Sequence, residues 1–382
     1  MKWYLWWKSI DKTILYITYA LILIGVLLVN VSTQSVALRI GINYYNFINK
    51  QLFFLISGSF LIILISMLKQ KVIEKLSIFN LLVFFILLIL VNFIGAEVKG
   101  AKRWLNILGI SLQPSEFIKP FFCIVNAIIL SNKKISFKLF NLDINYEINE
   151  KYTLLISFLL YIIIGIFLLI QPDFGMFLVF SFIWFMQIFI AGLSYYIVGI
   201  FSIMVFGAAI FAYTFFGHVK NRIDLFLSSS SANFETNYQV TKSLLAFKNG
   251  GFFGVGLGDG VIKRSLPDSH TDFIFAVAAE EFGGIFCIII LTLFTFLIIR
   301  VLLLCVKNND KFTVFASIGL VAQIIFQAFT NIGVSLNLLP TKGMTLPLIS
   351  YGGSSTLAIC ILFGLLLNLN KNIVTHNYKY KF

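Results

Sequence analysis

About ten runs of roughly twenty apolar residues dominate this 382-residue chain, at about 13–33, 50–68, 76–95, 115–131, 153–171, 175–193, 195–216, 273–306, 313–338 and 346–369. A helix needs about 20 such residues to cross a bilayer. Lipid cannot hydrogen-bond a backbone, so a span is either a helix or part of a closed barrel, and these runs lack the alternation of barrel strands. The predicted fold is all-α: a polytopic membrane protein with about ten transmembrane helices and a large extracytoplasmic loop, about 217–271, between helices seven and eight. Charged residues are 12% of the chain, against roughly 25% in soluble domains. Residues 1–382 therefore read as a single membrane domain. The aromatic, basic start runs into a long apolar span with no small-residue cleavage site, which reads as a retained first helix.

An even number of spans puts both termini on one side. Lys2, Lys8, Lys12, Lys69, Lys71, Lys75, Lys133, Lys134, Lys138, Lys307, Lys311, Lys371, Lys379 and Lys381 all fall on that side, which the positive-inside rule makes cytoplasmic. The opposite loops are also basic, through Lys102, Arg103, Lys220, Arg222, Lys263 and Arg264. That runs against the topology rule and points to an anionic ligand outside. The net charge of +13 lies between apolar runs, so it reads as topology plus attraction to lipid headgroups or diphosphates, not as nucleic-acid binding. Cys123, Cys287, Cys305 and Cys360 sit in apolar stretches without metal or disulfide spacing and read as buried thiols.

Four clusters carry polar chemistry. In the first, Lys102, Arg103 and Trp104 suit the headgroup level, where Trp anchors and Arg grips phosphate. Pro114 suits a helix start. Glu116 would lie near its positive end, and Lys119, three residues on, can pair with it. A structural ion pair and the wall of a polar cavity remain equal readings. The second, Gln171-Pro172-Asp173-Phe174-Gly175, reads first as a tight turn.

The third runs from Gly250 to Gly258 and on through Leu266-Pro267-Asp268-Ser269-His270-Thr271-Asp272-Phe273. Its glycines offer a phosphate cradle or plain turns. Asp272, at the membrane edge, reads equally as a helix cap and as a general base, and His270 as a positioning hydrogen bonder. The segment around 238–248 has the spacing of a short interfacial helix. In the fourth, Gln323, Gln327 and Asn331 form a polar stripe. Lys342 follows, and small residues Gly352 to Ser355 permit close helix packing. The stripe fits helix packing or a water-lined cavity. No P-loop, serine elbow or zinc spacing occurs.

GAKRW at 100–104, QPSEFIK at 113–119, QPDFG at 171–175, LPDSHTDFIFA at 266–276 and LPTKGMTLPLISYGGSS at 339–355 together resemble the shape, elongation, division and sporulation (SEDS) family. The last string looks more like the cell-division branch than the elongation branch. Family members often carry Glu where this chain has Asp268. The resemblance implies a peptidoglycan glycosyltransferase acting on lipid II, a disaccharide-pentapeptide on undecaprenyl pyrophosphate. It also implies a class B penicillin-binding protein as partner and other division-complex membrane proteins beside it, in the bacterial cytoplasmic membrane at the septum. By motif position, Asp272 matches the carboxylate thought essential for activity, and Trp104, Arg103, Glu116 and Lys119 match positions lining an outer cavity. A divalent cation is compatible as a helper, but the sequence shows no ligand set and no cofactor.

The residues fit that chemistry. A sugar hydroxyl attacking an anomeric carbon needs a base, for which Asp272 is the candidate. The departing diphosphate needs cations where charge develops, and Arg103, Lys102, Lys263, Arg264 and Lys342 lie on the expected face. Two rivals stand beside this reading: a lipid II flippase that makes no bond, and a scaffold that only recruits a partner enzyme.

Overall fold

The computed structural model describes residues 2–41, 43–98, 101–107, 110–133, 135–139, 142–146, 152–192 and 234–371, with scattered positions between 193 and 224. The described chain is overwhelmingly helical. After the amphipathic α1 (Lys2–Ser9) come α2 (Lys12–Ile40), α3 (Tyr44–Met67), α4 (Gln70–Ile94) and α5 (Pro114–Leu130). Then follow α6 (Thr153–Ile170), α7 (Phe174–Ile190), α8 (Phe234–Gly250), α9 (Ile262–Ser265), α10 (Ile274–Val306), α11 (Lys311–Ser335) and α12 (Gly353–Leu369). Six of these, α2, α3, α4, α6, α10 and α11, are long and apolar enough to cross a membrane, and α7 and α12 are shorter apolar helices. The expected span at 195–216 and most of the loop before 234 lie outside the described residues.

The bundle is organised around α11. Of its most apolar stretch 78% is buried, against 22% for α4, which faces outward. Helix α11 packs against α5, α7, α10 and α12, and α12 packs closely on α3. The α3–α12 contact uses missing side chains: a Cβ at Gly364 would meet Ile62 O at 3.2 Å, so the two backbones approach directly. Asn368 Nδ2 then lies within hydrogen-bond distance of Ile65 O, Ser66 O and Leu68 O and ties α12 to the end of α3. Two buried carboxylates tie helices together near chain turns. Asp11 caps α2 and takes Arg300 of α10 at 2.7 Å, and Glu74 of α4 pairs with Lys133 at 2.8 Å. All four cysteines are buried and unpaired.

Four local features depart from a simple row of helices. The loop after α4 folds into an antiparallel ribbon of β1 (Ala96–Val98), β2 (Ala101–Ile107) and β3 (Ile110–Leu112). A hairpin of β4 (Ile135–Leu139) and β5 (Leu142–Tyr146) follows α5. The expected tenth helix begins only at Gly353, so 346–352 is an irregular segment. The fourth departure is in α10, whose helix is broken at Gly283 (φ 82°, ψ 178°), a conformation open essentially only to glycine.

The glycine-rich stretch after α8 wraps that break. Val255 N and Gly256 N donate to the carbonyls of Glu280 and Glu281, and Gly284 N and Ile285 N donate to Gly251 O and Phe252 O. The carboxylates complete the clasp. Glu280 accepts from Ile262 N (2.7 Å), Lys263 N (2.8 Å) and Asn249 Nδ2 (3.1 Å). Glu281 accepts from Gly258 N, from Gly260 N (3.1 Å) and from Lys263 Nζ (2.5 Å). The phosphate-cradle reading of these glycines is thereby corrected: the N–H groups of Gly256 and Gly258 are committed to α10, and those of Gly251 and Gly254 to Phe247 O and Gly250 O.

Candidate active site

Two helix starts stand side by side. Pro114 opens α5, and its missing N–H costs nothing there. Glu116 in the first turn accepts Lys119 Nζ at 2.6 Å, and both are buried. Lys119 also reaches Met176 Sδ of α7 at 3.5 Å. Asp173 is the N-cap of α7, its carboxylate accepting Met176 N at 3.4 Å.

Asp173 is only 3% exposed and gathers three further groups. Gln113 Nε2 donates to it at 3.5 Å. Arg103 Nε is 3.8 Å from Oδ2, while the same guanidinium donates to Gln171 O (3.3 Å) and Pro172 O. Lys342 Nζ is 4.0 Å from Oδ1. Lys342 lies directly over Gly175, where any Cβ would overlap the ammonium. Two cations from separate loops thus converge on one carboxylate at the positive end of α7.

Asp272 follows a tight turn in which Thr271 N, Asp272 N and Phe273 N all donate to Asp268 O. The cap position of α10 is Phe273, without a side-chain capping bond, so Asp272 does not occupy it. The Asp272 carboxylate lies against Gly343, where a Cβ would be 3.0 Å from Oδ2. Asp272 thus packs on the loop whose preceding residue, Lys342, faces Asp173.

Four bonds lock this segment. Asn331 of α11 donates to both Asp272 O (2.9 Å) and Met344 O (2.7 Å), Ser350 Oγ donates to Thr271 O (2.6 Å), and Tyr351 N donates to His270 O (2.8 Å). The His270 ring meets Phe47 and Tyr351 at 5.9 and 5.3 Å between centroids. Burial pushes the imidazole below its ordinary pKa, Asp268 pulls it up, and Arg39 pushes it down.

The other sequence candidates sit elsewhere. Trp104 is half-buried opposite Ala96 in the β-ribbon, and Lys102 is exposed opposite Glu97. Arg264 is exposed on α9. Lys263 is 3% exposed and spends its charge on Glu281 and Gly258 O, so its expected place among the substrate cations gives way to a structural one. Among the described residues no three His, Cys, Asp or Glu side chains converge as metal ligands. Around Asp173 a single carboxylate already faces two cations, which does not fit a resident dication.

Sequence reasoning took Asp173 first as a turn former, left Asn331 open between helix packing and a water-lined cavity, and passed over Arg39 altogether. The signal for Asp173 was a Pro-Asp pair opening an apolar run, the pattern of a helix start.

The model of the FtsW, RodA and SpoVE cell cycle proteins matches residues 11–374. The chain belongs to the FtsW/RodA/SpoVE family. Family relatives named "Probable peptidoglycan glycosyltransferase FtsW" include one from Caulobacter vibrioides, 38% identical over 96% of this chain and 90% of the relative. Another from Coxiella burnetii is 35% identical over 94% of this chain and 96% of the relative. The fold of this family member also matches a chain of a solved peptidoglycan synthase complex at a TM-score of 0.74, with 24% identity, covering 95% of this chain and 98% of that one. Thermus thermophilus RodA matches at 0.66, also at 24% identity, over 95% of this chain and 97% of that one. This family member is a multi-pass membrane protein.

Proposed function

We propose that this protein is a peptidoglycan glycosyltransferase that polymerises lipid II at the outer face of the bacterial cytoplasmic membrane, for septal wall synthesis. The observation that carries the reading is the run of side chains from Asp272 past Gly343 to Lys342, Asp173 and Arg103. The Asp272 carboxylate packs on the loop that carries Lys342, and Lys342 and Arg103 converge on Asp173, which supports a base and diphosphate-binding cations in one site. Asp272 takes the proton from the attacking sugar hydroxyl, the new glycosidic bond forms at the anomeric carbon, and the bond to the lipid diphosphate breaks. Lys342 and Arg103 stabilise the departing diphosphate, which is a weak base and needs no protonating acid. The buried Glu116–Lys119 pair holds α5 against α7 so that the cations keep their places. His270 and Trp104 line the outer surface where substrate headgroups arrive, and Lys102 and Arg264 add to the positive field.

The relatives' printed names support the activity, and the synthase-complex neighbour supports a class B penicillin-binding protein as partner. Both termini and the β4–β5 hairpin are assigned to the cytoplasm from the lysine pattern. The test is purified protein, with and without that partner, given lipid II in detergent. Glycan chains are expected. Their absence under all partner conditions, with lipid II transfer across vesicles instead, would select the flippase reading.

A further inference from the structure

Along α11, Phe315, Gly319, Gln323, Gln327 and Asn331 recur every four residues and make one inclined row. At ~1.5 Å per residue the row extends about 24 Å, most of a hydrocarbon layer roughly 30 Å thick. Its two ends are anchored to protein. At the first, Gln187 lies over Gly319, where a Cβ would be 2.6 Å from its Nε2. Gln187 donates to Cys123 O (2.7 Å) and Phe315 O (3.1 Å) and accepts from Asn126 (2.9 Å); Asn126 accepts from Ser157 (2.6 Å), which accepts from Trp184 Nε1 (2.9 Å).

At the other end Asn331 donates to Asp272 O and Met344 O. These two bonds fix its orientation, because a flipped amide would press its oxygen against two carbonyls. Asn331 Oδ1 is therefore an acceptor, and it has no partner among the described residues. Between the ends, Gln323 is 0% exposed with neither Nε2 nor Oε1 bonded, and Gln327 is 1% exposed with Oε1 unbonded.

Buried amides left unpaired are strongly disfavoured, and such groups in folded proteins are met by ordered water. We propose that Gln323, Gln327 and Asn331 form an internal water-binding site, a short file of waters ending at the backbone that carries Asp272. The chemistry of the row selects the ligand. A cation would take the three amide oxygens but is repelled by the Gln323 N–H groups, and an anion is repelled by the oxygens. Water alone both donates and accepts.

Synchrotron X-ray footprinting of the full chain in lipid nanodiscs tests this, since radicals born from internal waters label side chains that bulk radicals cannot reach. Ile324 and Met344, 0% and 2% exposed, are the reporters, and Phe329, 62% exposed, is the bulk control. Labelling of both reporters is expected, with its loss in the Gln323→Met/Gln327→Met double variant and Phe329 unchanged. An unlabelled wild-type pair overturns the proposal. So does a higher Tm in the double variant, which would mark a water-free pair of unbonded amides. The wild-type Tm is expected to be equal in sodium, potassium and choline chloride. A rise with sodium or potassium alone replaces water by a cation and equally overturns it. The salt series and the wild-type footprint need no variant to fold.

Discussion

Lys263→Met separates a structural lysine from a substrate lysine. In the fold its ammonium is 2.5 Å from Glu281 Oε1 and donates to Gly258 O at 3.2 Å, with side-chain exposures of 3% and 0% for the pair. Removing one member of a buried pair costs about 3–5 kcal/mol, because the other charge stays buried without compensation. Glu281 would keep the N–H groups of Gly258 and Gly260, which places the cost near the lower end, about 3 kcal/mol. For a chain of this size that is a fall in Tm of about 5 °C.

Removing both charges of a buried pair is far milder than removing one. Lys263→Met/Glu281→Gln keeps an oxygen for the Gly258 and Gly260 donors, so it is expected to regain more than half of the loss. The assay is thermal unfolding of the purified protein, with KM for lipid II measured well below the transition. The expected result is lowered Tm, recovery in the double variant and unchanged KM. An unchanged Tm with a raised KM refutes the reasoning and returns Lys263 to the substrate cations.

Asp173→Asn retains a good capping residue for α7 but removes the charge between Arg103 and Lys342; pairs this long, with cation side chains 34% and 21% exposed, contribute up to ~1 kcal/mol, so steady-state kinetics should show KM for lipid II raised by up to about fivefold with Tm nearly unchanged. Gly283→Ala demands a left-handed φ and puts a Cβ 2.3 Å from Phe252 O, and its backbone strain alone costs ~1–3 kcal/mol, so the purified yield and Tm should both fall. His270 has a depressed pKa in the folded state. Its contribution to stability is complete above the ordinary value of about 6.5 and is lost as pH falls through the window below it. Tm measured from pH 7.5 to 5 should therefore drop more steeply for the wild type than for His270→Asn, and parallel curves would remove His270 from that account.

The helical frame was legible because bilayer thickness imposes a length on each apolar run, and α2, α3, α4, α6, α10 and α11 each fill one. Boundaries moved where polar chemistry intervenes: residues 346–352 read as apolar, yet Ser350 and Tyr351 draw that segment onto Thr271 and His270 instead of into α12. The β-ribbon at 96–112 was missed because its strands are three to seven residues long and carry no two-sided pattern. The break at Gly283 was hidden inside an apolar run. Its signal was the pair Gly283–Gly284 one residue after Glu280 and Glu281, four residues that make sense only with the glycine-rich clasp packed around them. Lys263 illustrates the general limit: sequence shows that a cation lies in a loop, while only packing shows which anion already holds it.

Polymer formation from lipid II by Asp272→Asn, compared with wild type and Asp272→Glu under identical partner conditions, tests the central claim most directly. The account predicts a properly inserted Asp272→Asn protein whose rate falls about 10²–10⁴-fold, the usual worth of a positioned base, with part of it restored by Asp272→Glu. Full-length glycan made by Asp272→Asn at the wild-type rate would contradict it.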